Sequence, residues 1–309
     1  MDVKTDHYRI GVVHIGLRTS DRGVRRRYRR LYGAYETGEP SPRELRVEVH
    51  RAGGPPARPP AGRRPGWRRP GKRRRYEIRV NGPVFYEPGR RDEVLPYLDW
   101  AVNWELPRAM PEFLQLHASS LAVEGRGVIF PGHSGSGKST LTAGLLTRGW
   151  HYLCDEFALI HTDTLMLHPY PRAICLTEPS IPVARSLGVP LGSPRGLLRR
   201  GTARVALLNP LAVRADAVGT PCGVRAVIFP QYRAGASPSI VPISRAQAAF
   251  ALHRVCFNLL GCRRPSLDVM AAMIRGASCY RLTCGPIKAT CDLVQQAVDE
   301  DARHQAKCA

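Results

Sequence analysis

Lysine is scarce in this sequence. Only five of its 46 basic residues are lysine, and the arginines that make up the rest outnumber the 25 acidic residues. Beside abundant alanine, glycine and proline, that skew reads as a GC-rich coding bias more than as a selected cationic surface. Long apolar runs are missing too. None reaches the roughly 18 to 20 residues that a helix needs to cross a bilayer, so no membrane helix is expected. The opening MDVKTDHYRIGVVHIG has no basic stretch followed by a long apolar one, so no secretion signal is expected and a cytoplasmic protein is the default. None of the nine cysteines forms a CxxC pair, which excludes zinc-ribbon and thioredoxin-like readings. Their number is odd and most sit in apolar runs, as reduced thiols in a reducing compartment would.

What is present is unevenly spread. The formal charge is +21, and 24 of the 46 basic residues fall in the first 100 positions. The stretch from Arg51 to Arg75, RAGGPPARPPAGRRPGWRRPGKRRR, holds ten basic residues and no acidic one. With almost nothing to bury, it reads as a mobile loop or linker. An arginine-rich segment can neutralise phosphates and Trp67 could stack on a base. The arginine bias of the whole chain argues for a solvated loop instead, and against a nucleic-acid partner.

Hydrophobic content is ordinary for a globular protein. Residues 1–112 form the expected small N-terminal unit, with strand-like alternation in Tyr8 to Ile15 and Leu45 to His50. Tyr76 to Val80, Asn81-Gly82 and Pro83 to Tyr86 read as a hairpin on an Asn-Gly turn. Asp92 to Trp104 has helical spacing. From 113 to 309 the texture is a compact α/β pattern. His117 to Val123 and Gly127 to Phe130 predict an antiparallel hairpin feeding a glycine-rich loop. Lys138 to Arg148 predicts a helix closed by Gly149. Ser244 to Leu260 predicts a further helix capped by Ser244, followed by helices at Ser266 to Arg275 and Lys288 to Asp299.

The chemistry concentrates at residues 132–139, G-H-S-G-S-G-K-S, a full match to the Walker A pattern. Glycines let the backbone curl so that its amides cradle a phosphate. The following helix aims its positive end at the same oxygens. Lys138 would span the β- and γ-phosphates, and the Ser139 hydroxyl would complete a Mg²⁺ shell. Gly132, His133, Ser134, Gly135, Ser136, Gly137, Lys138, Ser139 and Thr140 are therefore the expected nucleotide-binding residues, with ATP and Mg²⁺ as the expected cofactors. Asp155 and Glu156 follow a short apolar run. One carboxylate there can hold Mg²⁺ through water and a second can accept a proton from an attacking hydroxyl. His117 opens the strand that runs toward the loop.

The run HASSLAVEGRGVIFPGHSGSGKSTLTAGLLTRGWHYLCDEFALI resembles the core of bacterial HPr kinase/phosphorylase, and more closely the group called HPr kinase-related kinase A. LDWAVNWEL and SRAQAAFALHRVCFNL extend the resemblance, which covers most of residues 80 to 260. It implies an α/β fold of the phosphoenolpyruvate carboxykinase/HPr kinase type, a P-loop core with a mixed sheet, beside a small N-terminal α+β unit. It implies transfer of the ATP γ-phosphate to a serine of a small HPr-like acceptor protein, with Lys138, Asp155, Glu156 and His117 as the catalytic set. It also makes a homo-oligomer the expected assembly. The family's paired aspartates correspond to Asp155 and Glu156. The extra methylene in Glu156 moves its carboxylate by about an ångström or more, so the base is left open between the two. The acidic, glycine-rich signature that supplies a second metal ligand in the family is replaced here by AICLTEPSIPVARSLG. In it, Glu178 is the nearest metal ligand, after Ser139 and Asp155, and Arg172, just before that run, is the nearest phosphate contact. That departure keeps open an alternative, a nucleotide-binding regulatory switch or scaffold without kinase activity.

Overall fold

The computed structural model describes residues 4–51, 76–192 and 196–307, with side chains to 304. The basic stretch read from the sequence at 51–75 lies outside the described residues apart from Arg51. Chain contacts group into two compact units, Met1–Leu106 with Ser193–Leu207, and Pro107–Gly192 with Leu208–Ala309.

The first unit is built on a five-stranded sheet of β1 (Thr5–Ile10), β2 (Val13–Thr19), β3 (Leu45–His50), β4 (Glu77–Val80) and β5 (Val84–Tyr86), in that spatial order. The alternation seen from Tyr8 to Ile15 is two strands, because Gly11 turns the chain at φ 62° and sends β2 back along β1. Between β2 and its parallel neighbour β3 lies α1 (Arg22–Tyr32), a helix not foreseen in the sequence. Asp21 caps it by accepting from the amides of Gly23 and Val24 at 2.8 and 3.0 Å. Val24, Tyr28 and Tyr32, four residues apart, are its buried stripe. The aromatic ring of Tyr28 meets those of Tyr8 and Tyr32 at centroid distances of 5.0 and 4.7 Å. The helix α2 (Arg91–Ala109) outruns the predicted Asp92–Trp104 at both ends.

The second unit carries the larger sheet. Its strands are β6 (Phe113–Val123), β7 (Arg126–Pro131), β8 (His151–Cys154), β9 (Phe157–His161) and β10 (Met166–His168). After β11 (Ile174–Thr177) and the short α4 (Ser180–Ser186), the chain passes through the hairpin of β12 (Leu198–Arg200) and β13 (Ala203–Leu208), which groups with the first unit up to Leu207, before β14 (Cys222–Tyr232), β15 (Ser239–Pro242) and β16 (Ser278–Cys284). The helix α3 (Lys138–Leu146) follows β7, α5 (Arg245–His253) and α6 (Ser266–Arg275) follow β15, and α7 (Ile287–Lys307) closes the chain. The spatial order is β10-β9-β6-β7-β14-β16-β15, with β8 on β6. Because β7, β14 and β16 run parallel while β6, β9 and β15 run against their neighbours, the sheet is mixed.

Period-two alternation puts a core on each face of this sheet. Val128 and Phe130 of β7 pack with Leu141 and Leu145 of α3 and Val294 of α7. Ile129 between them packs on the other side with Ala248 and Leu252 of α5 and Met270 of α6. The helix α3 sits so close to α7 that a Cβ on Gly144 would lie 2.7 Å from Cys291 Sγ.

One predicted helix is shorter than its pattern. Ser244 caps α5 with a full capping box through Gln247, yet the helix stops at His253 rather than Leu260. Residues 255–257 lie along β6 instead. His117 N donates to Val255 O at 2.7 Å, and Phe257 N donates to Gln115 O at 2.9 Å. Pairing with a strand edge has overridden local helical spacing. Among the described residues, no cysteine is disulfide-bonded and no helix is long and apolar enough to cross a membrane.

Candidate functional site

The glycine-rich loop joins β7 to α3, the strand–loop–helix setting that its pattern requires. Gly135 and Gly137 hold φ of 86° and 97°, a left-handed backbone that favours glycine. No side chain caps the N-terminus of α3. The first amides of the helix thus lack an intrahelical acceptor and suit an anion. Two neighbouring strands fix the loop's ends. Gly132 N donates to His117 O at 3.1 Å, and Tyr232 N donates to Ser136 O at 3.1 Å. Inside it, the Lys138 ammonium donates to Gly132 O at 2.5 Å and His133 O at 2.9 Å. Burial lowers the Lys138 pKa against the opposing pull of Asp155 and Glu156. His133, Ser134 and Gly135 form the exposed crest, while Ser136, Gly137, Ser139 and Thr140 are half-buried.

Asp155 and Glu156 stand in the turn between β8 and β9, held to β6 by Ala118 N donating to Glu156 O at 3.3 Å. Their side chains meet different surroundings. Asp155 is 2% exposed. Burial pushes its carboxyl up to about 7, against a hydrogen bond from Ser139 that favours the charged form. Its Oδ1 is buried without a hydrogen-bond partner. Glu156 faces His117 Nε2 at 3.4 Å and Arg172 Nη1 at 3.6 Å. Burial would raise its pKa, but the His117 hydrogen bond and the charges of Arg172, His117 and Lys138 prevail and hold it near 2. Adjacent carboxyls thus end with opposite tendencies, one toward the neutral form and one firmly ionised.

His117, Lys138, Ser139, Asp155, Glu156 and Arg172 are thereby brought into one neighbourhood. Arg172 is 4% exposed, and its carbonyl accepts from the Tyr152 hydroxyl at 2.9 Å. Glu178 is the remaining candidate ligand of the sequence. It is exposed in the turn after β11, and its carboxylate makes no hydrogen bond or ion pair among the described residues. Its nearest link to the loop is backbone-deep. Glu178 O accepts from Ile181 N at 3.3 Å, and Ser180 next to it receives a hydrogen bond from Thr140 Oγ1 at 2.8 Å. Ser180, Tyr232 and Phe257, whose ring lies 5.3 Å from that of His117, escaped the sequence reading. Phe257 lies in the SRAQAAFALHRVCFNL run and Ser180 in AICLTEPSIPVARSLG, but neither run marks them out, and each of the three reaches the site from a separate element.

The donors fit a magnesium–nucleotide complex. No cluster of three or more His, Cys, Asp or Glu that could cage a metal exists among the described residues. A P-loop site needs none, because phosphates and water supply most of the Mg²⁺ shell. The Ser139 hydroxyl and the unsatisfied Asp155 oxygen are the hard ligands such an ion takes.

No family model matches this sequence. The HPr kinase/phosphorylases of Xanthomonas campestris pv. campestris (strain B100) and Xanthomonas oryzae pv. oryzae (strain PXO99A) are each 34% identical to it over 88 residues, 28% of this chain and 27% of theirs. The chain therefore spans only about a quarter (27%) of the length of the curated relatives it matches. A solved structure, the Hpr(Ser) kinase/phosphatase from Coxiella burnetii, aligns over 60% of this chain and 97% of that one at 16% identity, with a TM-score of 0.30. Over those 88 residues this mixed α/β protein is similar to the HPr kinase/phosphorylases.

Proposed function

We propose that the protein is an ATP- and Mg²⁺-dependent kinase that transfers the γ-phosphate of ATP to a serine of a small HPr-like acceptor protein in the cytoplasm. The observation that carries the reading is the meeting of Lys138 and Ser139 of the loop with two carboxyls of opposite tendency. Ser139 and Asp155 would hold Mg²⁺, which when bound neutralises charge on the phosphates. Lys138 would trade its two carbonyls in the loop for phosphate oxygens. Glu156, kept ionised and oriented by His117 and Arg172, would take the proton of the attacking serine. Phosphoryl transfer rests mainly on positioning and charge neutralisation, so this small set suffices.

The test is incubation of the purified protein with γ-labelled ATP, Mg²⁺ and lysate of its own organism, beside a Lys138→Ala control. One small labelled protein, lost in the control, supports the kinase. Tight ATP binding without any labelled product favours the second reading, a nucleotide-gated switch or scaffold. The observation behind that reading is Glu178, whose exposed carboxylate has no hydrogen bond or ion pair among the described residues.

A further inference from the structure

The helix α1 presents a surface that the nucleotide site does not use. Six of its eleven residues are arginine and none is acidic. Two are neutralised. Arg25 Nε lies 2.9 Å from Asp6 Oδ2, and Arg29 Nη2 lies 2.7 Å from Glu36 Oε1. Arg22, Arg26, Arg27 and Arg30 are exposed and have no ion pair or hydrogen bond among the described residues. Arg22, Arg26 and Arg30 follow one another at four-residue spacing, opposite the buried stripe of Val24, Tyr28 and Tyr32. They form a row with about 6 Å between successive members along the helix axis.

Four kinds of anionic partner could meet such a row, and their chemistry separates them. A membrane-surface helix needs an outward apolar face. The apolar side of α1 is consumed by the core, and none of the chain's exposed large hydrophobic residues lies on it. A protein interface of any strength has an aromatic or apolar centre, which the outward face also lacks. Single strands are held largely by stacking on aromatic rings. A double helix asks only for cations, because its backbone offers one charge per about 1.7 Å of axis. We infer that the outward face of α1 is a binding surface for the phosphate backbone of duplex nucleic acid, independent of base sequence and of the kinase reading.

The cap of α1 is also held from two other parts of the described chain. Arg51 and Tyr76, the described residues that flank the basic stretch of the sequence, both bond the Asp21 that caps α1, at 3.1 and 2.9 Å. The proposed face is α1 alone, and the test separates it from that stretch.

The experiment is fluorescence anisotropy of the full chain with a labelled duplex of about 24 base pairs, titrated from about 50 to 200 mM KCl. The comparison is the triple variant Arg22→Gln, Arg26→Gln, Arg30→Gln. Loss of three phosphate contacts makes the slope of log affinity against log salt shallower by about 2.7 and weakens binding about tenfold or more at the low-salt end. The triple variant with lysine at the same positions restores the slope, which distinguishes lost charge from a disturbed fold. A slope unchanged in the glutamine variant overturns the proposal and assigns any binding elsewhere in the chain. Absence of duplex binding by the parent protein overturns it as well. So does displacement of the duplex by phosphatidylcholine vesicles with about 30% phosphatidylserine, which would mark a membrane surface instead.

Discussion

His117 Nε2 and Glu156 Oε1 are 3.4 Å apart, across the gap between β6 and the β8–β9 turn. Through that contact a strand that feeds the P-loop also sets the charge of a carboxylate 39 positions further along the chain. Arg172 holds the second oxygen of Glu156 at 3.6 Å. The pair makes Glu156 a fixed anion in the protein alone.

Removing the first contact should show in the pH dependence. In His117→Ala, Glu156 loses a hydrogen bond that favours its charged form, so its pKa rises from near 2 toward the ordinary 4.5. ATP consumption measured from about pH 4 to pH 8 is expected to fall by about 10- to 100-fold, with its acid limb displaced to higher pH. An acid limb that stays in place would mean that His117 does not govern Glu156.

Asp155 makes a prediction of opposite sign. Its folded carboxyl keeps a proton that the unfolded chain releases above its ordinary 3.8, so the folded state binds more protons between there and about 7. The contribution of Asp155 to stability is full below about pH 4 and is lost as pH rises to about 7, by up to about 4 kcal/mol in the absence of nucleotide and metal. Asp155→Asn removes the titration. Thermal midpoints taken near pH 5 and pH 8 should converge in this variant, and at pH 8 it should be the more stable protein.

Lys138→Ala removes the loop's buried cation. Nucleotide affinity and turnover are expected to fall together, turnover by about a hundredfold or more, because transition-state charge on the phosphates loses its partner. Isothermal titration with ATP and Mg²⁺ checks the first, and phosphate release the second. The fold should survive, since the ammonium bonds only carbonyls of its own loop.

Gly137→Ala tests the backbone. A residue with a side chain at φ 97° is strained, and the new Cβ would also meet Tyr232 Cβ at 3.4 Å. A stability loss of about 1 kcal/mol or more is expected from the conformation alone. A larger proportional loss in ATP affinity should accompany it, as the loop shifts to relieve the strain. Denaturant midpoints and ATP titration on the same sample separate the two effects.

Much of this was legible in the sequence where a local rule governs. Asn81-Gly82 turns β4 into β5, Ser244 caps α5, and the glycine-rich loop sits between strand and helix as its pattern demands. The residues that escaped are governed by distance instead. Nothing local to Phe257 says that its ring rests on His117, and the 255–257 segment gave up helical spacing to pair with β6. The arginines of α1 hid its stripe of Val24, Tyr28 and Tyr32, because basic runs read as solvated chain. The divergence of Asp155 and Glu156 had no sequence signal at all. It arises from one side chain turning into the core and the other toward His117 and Arg172.

The last register position of β3 against β4 pairs His50 with Glu77. Arg51 and Tyr76 then converge on Asp21, so the two described ends of the chain are pinned at one point of the sheet. Loop closure depends only weakly on length, each doubling costing about 0.6 kcal/mol. This makes the site a natural port for splicing. The ends at Arg51 and Tyr76 can be closed with an Asn-Gly turn or joined through a reporter domain, while the His50–Glu77 register keeps the sheet in alignment.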